Sequence, residues 1–248
     1  MADRPKVILA PYYRTLDEIF TPIDLERLHA CAEIVWARDE PLLQDEFDRH
    51  KADASAVVTT GWRYGPIDGM PKLRAIMEVG GRHPSPEALD YAACFARGVR
   101  VLSCAPAFGP MVAEMALGMT LALARQIVVC DNDFRRGEEI YLRPGNAGAF
   151  SLYGQTVGLI GFGGLARALL PLLAPFGCKI QVFDPWLPDA YLIRQRVTPV
   201  ALDTLLATSK VIYVLAIPSI ENRGLLDRTY LELIPPDALF MLISRAHL

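Results

Sequence analysis

The chain has few of the residues that would mark a metal or redox site. Its five cysteines (Cys31, Cys94, Cys104, Cys130, Cys178) are scattered without any C-x-x-C, and histidine occurs only four times. Neither a zinc site nor a dithiol pair is indicated, and reduced thiols in a cytoplasmic protein are expected. Excess charge is also missing. The net charge is −3 and Arg135-Arg136 is the only adjacent basic pair, which gives no reason to expect nucleic acid as a partner. The start, MADRPKVILAPYY, has no signal-peptide shape. Long uncharged apolar runs are absent as well. The most lipid-like stretch, Met111–Cys130, is interrupted by Glu114 and Arg125, leaving ten uncharged residues between them, about half of a membrane span. No membrane partner is expected. With 248 residues, 52% of them hydrophobic and 21% charged, the composition is that of a folded globular chain of one large or two small domains.

What the chain does have is a repeated strand–helix pattern. Short apolar runs at Lys6–Ala10, Glu33–Ala37, Ala56–Thr59, Leu73–Val79 and Val99–Ser103 predict strands, with a helix over Asp24–Ala32. Such alternation predicts a parallel sheet covered on both faces. Cys104–Pro110 (CAPAFGP) reads as a domain crossover, giving expected domains of 1–104 and 105–248. A long apolar helix is predicted next, with Met111, Met115 and Met119 at helical spacing as a core stripe. A helix apolar on most sides suits a sandwich between domains or subunits. A second sheet is expected from Val157–Ile160, Ile180–Phe183, Val197, Val211–Leu215 and Leu239–Ile243, with helices near 164–175, 202–208 and 226–232.

The most specific signal lies at residues 154–184, GQTVGLIGFGGLARALLPLLAPFGCKIQVFD. After a predicted strand, Gly161, Gly163 and Ala166 have the spacing G-x-G-x-x-G/A, and a second strand ends at Asp184. Each part has a task in holding a dinucleotide. Gly161 permits the tight turn, and Gly163 lets the backbone approach a pyrophosphate seated on the next helix N-terminus. Ala166 stands for the third glycine and keeps helix and strand close. Phe162, Gly164 and Leu165 complete the loop. Asp184 would accept hydrogen bonds from the ribose hydroxyls and repel a 2′-phosphate, so NAD is expected over NADP.

Five segments in order resemble the D-isomer-specific 2-hydroxyacid dehydrogenase family: LRAIMEVGG (73–81), ALDYAACFARGVRVLSC (88–104), VAEMALGMTLALAR (112–125), GQTVGLIGFGGLAR (154–167) with FGCKIQVFDP (176–185), and ENRGLLDRTYLELIPPDALFMLISRA (221–246). The resemblance implies an α/β fold, a Rossmann-type doubly wound parallel sheet plus a smaller flavodoxin-like substrate domain, both incomplete at the C-terminal end. It implies an NAD-dependent enzyme moving a hydride between nicotinamide and a small 2-hydroxy or 2-oxo acid, and a homodimer. By position, Arg245 matches the arginine that binds the carboxylate and polarises the carbonyl, a task suited to its planar fork. Backbone amides at Val79, Gly80 and Gly81 would face the substrate carboxylate. Val112 and Glu114 lie where the helix start approaches the nicotinamide. Ala216, Ile217 and Pro218 would pack on the adenine-ribose side of the cofactor.

The chain also departs from the family pattern. The family's glutamate and histidine follow the arginine, beyond Leu248, and none of His29, His50, His83 and His247 occupies that position. Ala246 replaces the usual glycine after the arginine, and Ile243 an asparagine before it. A C-terminally truncated or partial chain, itself a poor catalyst, is therefore expected, with an exposed edge at Leu239–Ile243. A natural short variant that pairs with another subunit is the alternative. Two other functions fit the same motifs: an NAD(H)-sensing interaction protein without turnover, and a dehydrogenase for formate or phosphite.

Overall fold

Apolar residues at period two along successive strands, buried on both faces, build two separate parallel sheets. The computed structural model describes residues 4–244. The first sheet contains β1 (Lys6–Ala10), β2 (Glu33–Ala37), β3 (Ala54–Thr59), β4 (Ala75–Glu78) and β5 (Arg100–Ser103) in the order β2-β1-β3-β4-β5. The second contains β6 (Thr156–Ile160), β7 (Lys179–Phe183), β8 (Thr198–Pro199), β9 (Val211–Val214) and β10 (Leu239–Leu242) in the order β10-β9-β6-β7-β8. All pairings are parallel. The chain divides into two compact units between Phe108 and Gly109. It is α/β and doubly wound.

Within the first unit, Ile8 and Ala10 of β1 face one core, while Val7 and Leu9 face another on the opposite side of the sheet. The first core is anchored by aromatic rings. Phe47 stacks on Tyr64 with centroids 4.2 Å apart, and Trp62 meets both rings edge-on. The indole N–H of Trp62 donates to the Gly65 carbonyl at 2.7 Å, so no buried donor is stranded. In the second unit β9 alternates in the same way, Val211 and Tyr213 to one side and Ile212 and Val214 to the other. Gly158 on β6 is a packing glycine, since a Cβ there would lie 2.5 Å from Leu205 and Ser209.

The division between the units, at Phe108/Gly109, falls within Cys104–Pro110, and the helix Ala105–Ala124 runs through most of that segment. Pro106 sits in the first turn, where its missing N–H is not required, while Pro110 lies inside the helix; the alanines around them favour helix. One expectation is corrected: the apolar stretch Met111–Cys130 is not one helix. Gln126, at φ 55, takes the left-handed conformation and ends the first helix before Ile127–Arg136 begins. Helices at Gln44–His50, Tyr91–Ala96 and Asp189–Arg194 escaped the sequence reading because they are too short to show a clear apolar period.

Ala105–Ala124 is long and apolar enough to cross a membrane by length and composition. One face of it is nevertheless core. Ala113 and Ala116 are fully buried in the cluster beneath the second sheet, and Gly109 is buried against Ala168. Thr120 shares a hydrogen bond with the Tyr213 hydroxyl of β9, pinning helix to sheet, and also donates to the Ala116 carbonyl. The other face leaves Met111, Met115, Met119 and Leu123 exposed.

Burial pushes the Tyr213 hydroxyl from its ordinary value of 10.0 up to about 12, against the opposing pull of the Thr120 hydrogen bond. The folded state therefore holds this proton more tightly than the unfolded chain. Stability present below pH 10 is lost as pH rises from 10 towards 12. Tyr213→Phe should remove about 2–3 kcal/mol of that alkaline loss, read by denaturant unfolding at pH 8, 10 and 11.5. Thr120 retains its Ala116 acceptor, so the variant should cost only about 1 kcal/mol near neutrality. An unchanged pH slope would refute the assignment.

Candidate functional site

The second unit's site begins where β6 ends. Its order places β7 on one side of β6 and β9 on the other, so the loop after β6 leaves at the sheet's switch point, where ligands of open α/β folds bind. Gly161 has φ +91, and a Cβ on it would lie 2.8 Å from the backbone of Ala216, which follows β9. Two strand exits therefore crowd together, and only glycine fits between them. Gly163 and Gly164 differ: a Cβ on either would meet nothing within 4 Å. Gly163 is the N-cap of the helix Gly164–Leu173 and supplies no side-chain cap. The first-turn N–H groups thus stay open to an anion and are reinforced by the helix dipole. Ala166 is fully buried in the core, as the third small residue of the motif should be.

Asp184 immediately follows β7. One of its carboxylate oxygens accepts from the Phe162 N–H at 2.8 Å, the other from Trp186 N–H at 3.0 Å and Leu187 N–H at 3.2 Å. It fastens the glycine loop to the exit of the neighbouring strand. A carboxylate has about four lone-pair sites, so one is left for a ribose hydroxyl. An NAD-type ligand fits these residues: an uncapped helix terminus, a glycine surface and a half-buried carboxylate at the next strand tip.

The remaining residues expected at the cofactor divide by burial. Phe162 is 1% exposed and packs into the core, and its N–H is held by Asp184, so its part is structural. Leu165 is half-buried against the same core. Ala216 lies against Gly161, while Ile217 is 78% exposed at the carboxyl edge and Pro218 is half-buried. Arg245 and His247 lie outside the described residues.

In the first unit, the loop after β4 is organised by a carboxylate that sequence reading missed. Glu78 is only 1% exposed. Its oxygens accept from Gly80 N–H at 2.9 Å and Arg82 N–H at 2.8 Å. A Cβ on Gly80 would strike the Glu78 carboxylate at 2.5 Å, so the two residues require each other. Val79 N–H donates to the Thr59 carbonyl within the sheet. Of the three amides expected to face a carboxylate, those of Val79 and Gly80 are thus engaged internally. Gly81, at φ +88, makes no such bond among the described residues. His83 is exposed; Glu114, on the second unit's long helix, is exposed and Val112 half-buried.

Residues 117–248, just over half of the chain, match the family described as D-isomer specific 2-hydroxyacid dehydrogenase, NAD binding domain. The chain belongs to this family. Over 178 residues, 72% of the chain, it is 29% identical to D-3-phosphoglycerate dehydrogenase of Mycobacterium tuberculosis, covering 33% of that protein. It is 32% identical to D-lactate dehydrogenase of Escherichia coli over 161 residues, 64% of this chain and 47% of the relative. The chain therefore spans half or less of these curated relatives. A crystal structure of a phosphoglycerate oxidoreductase from Rhizobium etli superposes with a TM-score of 0.80 at 34% identity, covering 99% of this chain and 74% of that one.

The two motif glycines should separate in mutagenesis. Gly161→Ala should cost about 2–4 kcal/mol of stability, because the site has both a positive φ and a backbone wall. Gly163→Ala should melt like the parent yet bind NADH at least ~10-fold more weakly, since its methyl occupies only the surface a pyrophosphate would approach. Unaltered NADH affinity in Gly163→Ala, by fluorescence titration, would remove this loop from the cofactor site.

Proposed function

We propose that the protein is an NAD-dependent oxidoreductase acting on a small D-2-hydroxy acid or its 2-oxo partner. The observation that carries this reading is the glycine loop of a family NAD-binding domain, with an uncapped helix terminus behind it and Asp184 at the adjacent strand tip. NAD, when bound, supplies or takes the hydride at its nicotinamide. The chain's own residues would do the rest. The second unit would orient the cofactor through its amides and Asp184, the Gly81 N–H is the amide of the β4 loop left for the acid, and Arg245 would hold the carboxylate and polarise the carbonyl. The relatives named as dehydrogenases of 3-phosphoglycerate and lactate are in keeping with this substrate class.

The cofactor preference is testable without knowledge of the substrate. The Asp184 carboxylate should favour NADH over NADPH by at least ~10-fold, since a 2′-phosphate would add like charge beside it. Tighter NADPH binding would overturn that assignment. Turnover is tested by reduction of glyoxylate, pyruvate and hydroxypyruvate with NADH. Failure to reduce any 2-oxo acid by the product of the full reading frame would overturn the oxidoreductase reading.

We also propose a homodimer in the cytoplasm, with no nucleic-acid or membrane partner. Support comes from an apolar surface too extensive for an isolated helix pair: Met111, Met115, Met119, Leu123, Ile127, Val128 and Phe134 are all exposed. The five cysteines are unpaired, in keeping with a reducing compartment. Sedimentation velocity at micromolar concentration should report about twice the chain mass of 27.4 kDa. A monomer there would refute the dimer.

A further inference from the structure

The first sheet's central strands begin around a cavity of about 570 Å³, within the size range of small-ligand pockets. β1, β3 and β4 are neighbours in the sheet, and residues at their amino ends line the cavity together with the last turn of the helix Pro22–Cys31. Its floor is apolar: Val7, Leu28, Ala32 and Ala56 pack into one core cluster of that unit. Its charged lining is cationic. Arg4 and Lys6 stand at the start of β1 and Lys72 and Arg74 just ahead of β4, against one carboxylate, Asp53, just ahead of β3.

Adjacent strands lie about 4.8 Å apart, so cations gathered at neighbouring strand starts repel one another, and one carboxylate cannot balance four of them. Asp53 is moreover shared. Its oxygens lie 3.4 Å from Lys6 Nζ and 2.5 Å from Lys72 Nζ, and the Lys72 hydrogen bond above all holds its carboxyl below the ordinary value. Asp53 thus stays ionised and braces two ammonium groups side by side. The Arg4 guanidinium is fixed by donating to the His29 carbonyl at 2.9 Å. The exposed Arg74 side chain makes no ion pair or hydrogen bond among the described residues, which leaves its planar fork open to a ligand.

We propose that this cavity binds a small polyanion, whose phosphate or carboxylate groups meet Arg4, Lys6, Lys72 and Arg74 above the apolar floor. Guanidinium forks take either group in paired hydrogen bonds, and the ammonium groups add point charge. The chain's overall charge of −3 repels an extended polyanion, so the ligand is one small enough to enter the cavity. The site lies at the amino edge of the sheet, whereas the loop after β4 leaves from the carboxyl edge. β4 has four residues, which sets the two edges about 13 Å apart at ~3.3 Å per residue. The site is therefore separate from the loop assigned to the 2-oxo acid and does not rest on that reading.

Cys31 is exposed and lines the same cavity, so an occupant shields its thiol. Iodoacetamide alkylation of the whole native chain, read by peptide mass spectrometry, measures that shielding, with the exposed Cys130 of the second unit as internal control. Inorganic pyrophosphate and citrate serve as probes, at ionic strength matched with sodium chloride. At ten times its dissociation constant, a bound probe should slow Cys31 about 10-fold and leave Cys130 unchanged. Arg74→Gln should raise the concentration for half-protection at least ~10-fold at an unchanged melting temperature, with Arg74→Lys between it and the parent. Protection by one probe alone would uphold the site and identify phosphate or carboxylate as its preferred group. Protection by neither, equal protection by sodium chloride, or the same half-protection in Arg74→Gln would overturn it.

Discussion

Each unit depends on a carboxylate at the carboxyl end of a strand that fixes the loop beside it. Glu78, the last residue of β4, binds two amides of its own exit loop. Asp184, just past β7, reaches across to the exit of β6 and binds Phe162 while also holding Trp186 and Leu187. A loop that must present bare backbone to a ligand cannot use its own side chains for rigidity. Gly163 leaves bare backbone, while Gly80 and Gly161 make room for the Glu78 carboxylate and the Ala216 backbone, and each glycine leaves the chain soft. The carboxylates supply the stiffness from one side, and neighbouring backbone supplies it from the other, as Ala216 does against Gly161. Each loop is thereby set in place before any ligand arrives.

The legibility of these features from sequence follows from how local their causes are. Gly161, Gly163, Ala166 and Asp184 could be read because the βαβ unit fixes their spacing, and the tasks of turn, approach and acceptor follow from that spacing alone. The engagement of Phe162 N–H by Asp184 was not legible, since it depends on where two strand exits lie relative to each other. Glu78 is a single acid in the apolar run AIMEV, and periodicity cannot say that its carboxylate turns back onto the following amides. Arg14 is further from reach, because its ring partner Phe108 is distant in sequence and the two meet only through the sheet order. That the helix Ala105–Ala124 already begins within Cys104–Pro110 was not legible, because prolines and a glycine signal a break; Pro106 falls in the first turn, where proline is tolerated, and Pro110 lies inside the helix.

The two locks also share an electrostatic consequence. Both place a negative charge behind a loop, so an anion at either one would need an offsetting positive field. In the second unit the chain provides it directly: the glycine loop runs into the helix Gly164–Leu173, whose uncapped N-terminus faces the same place. In the first unit the loop after β4 lies beside the first turn of the helix Ala105–Ala124, since a Cβ on Gly81 would lie 3.2 Å from the Phe108 ring. After Gly81 the chain passes through Arg82–Asp90 before the short helix Tyr91–Ala96 begins, and that helix is already capped by the Asp90 side chain on Ala93 N–H. The dipole of that short helix is thus committed to its own cap. Arg14 stands over the same Phe108 ring, its guanidinium carbon 5.4 Å from the centroid. The β6 loop thus draws its positive field from a helix terminus, whereas the β4 loop and the Arg14 guanidinium are neighbours of one ring, that of Phe108.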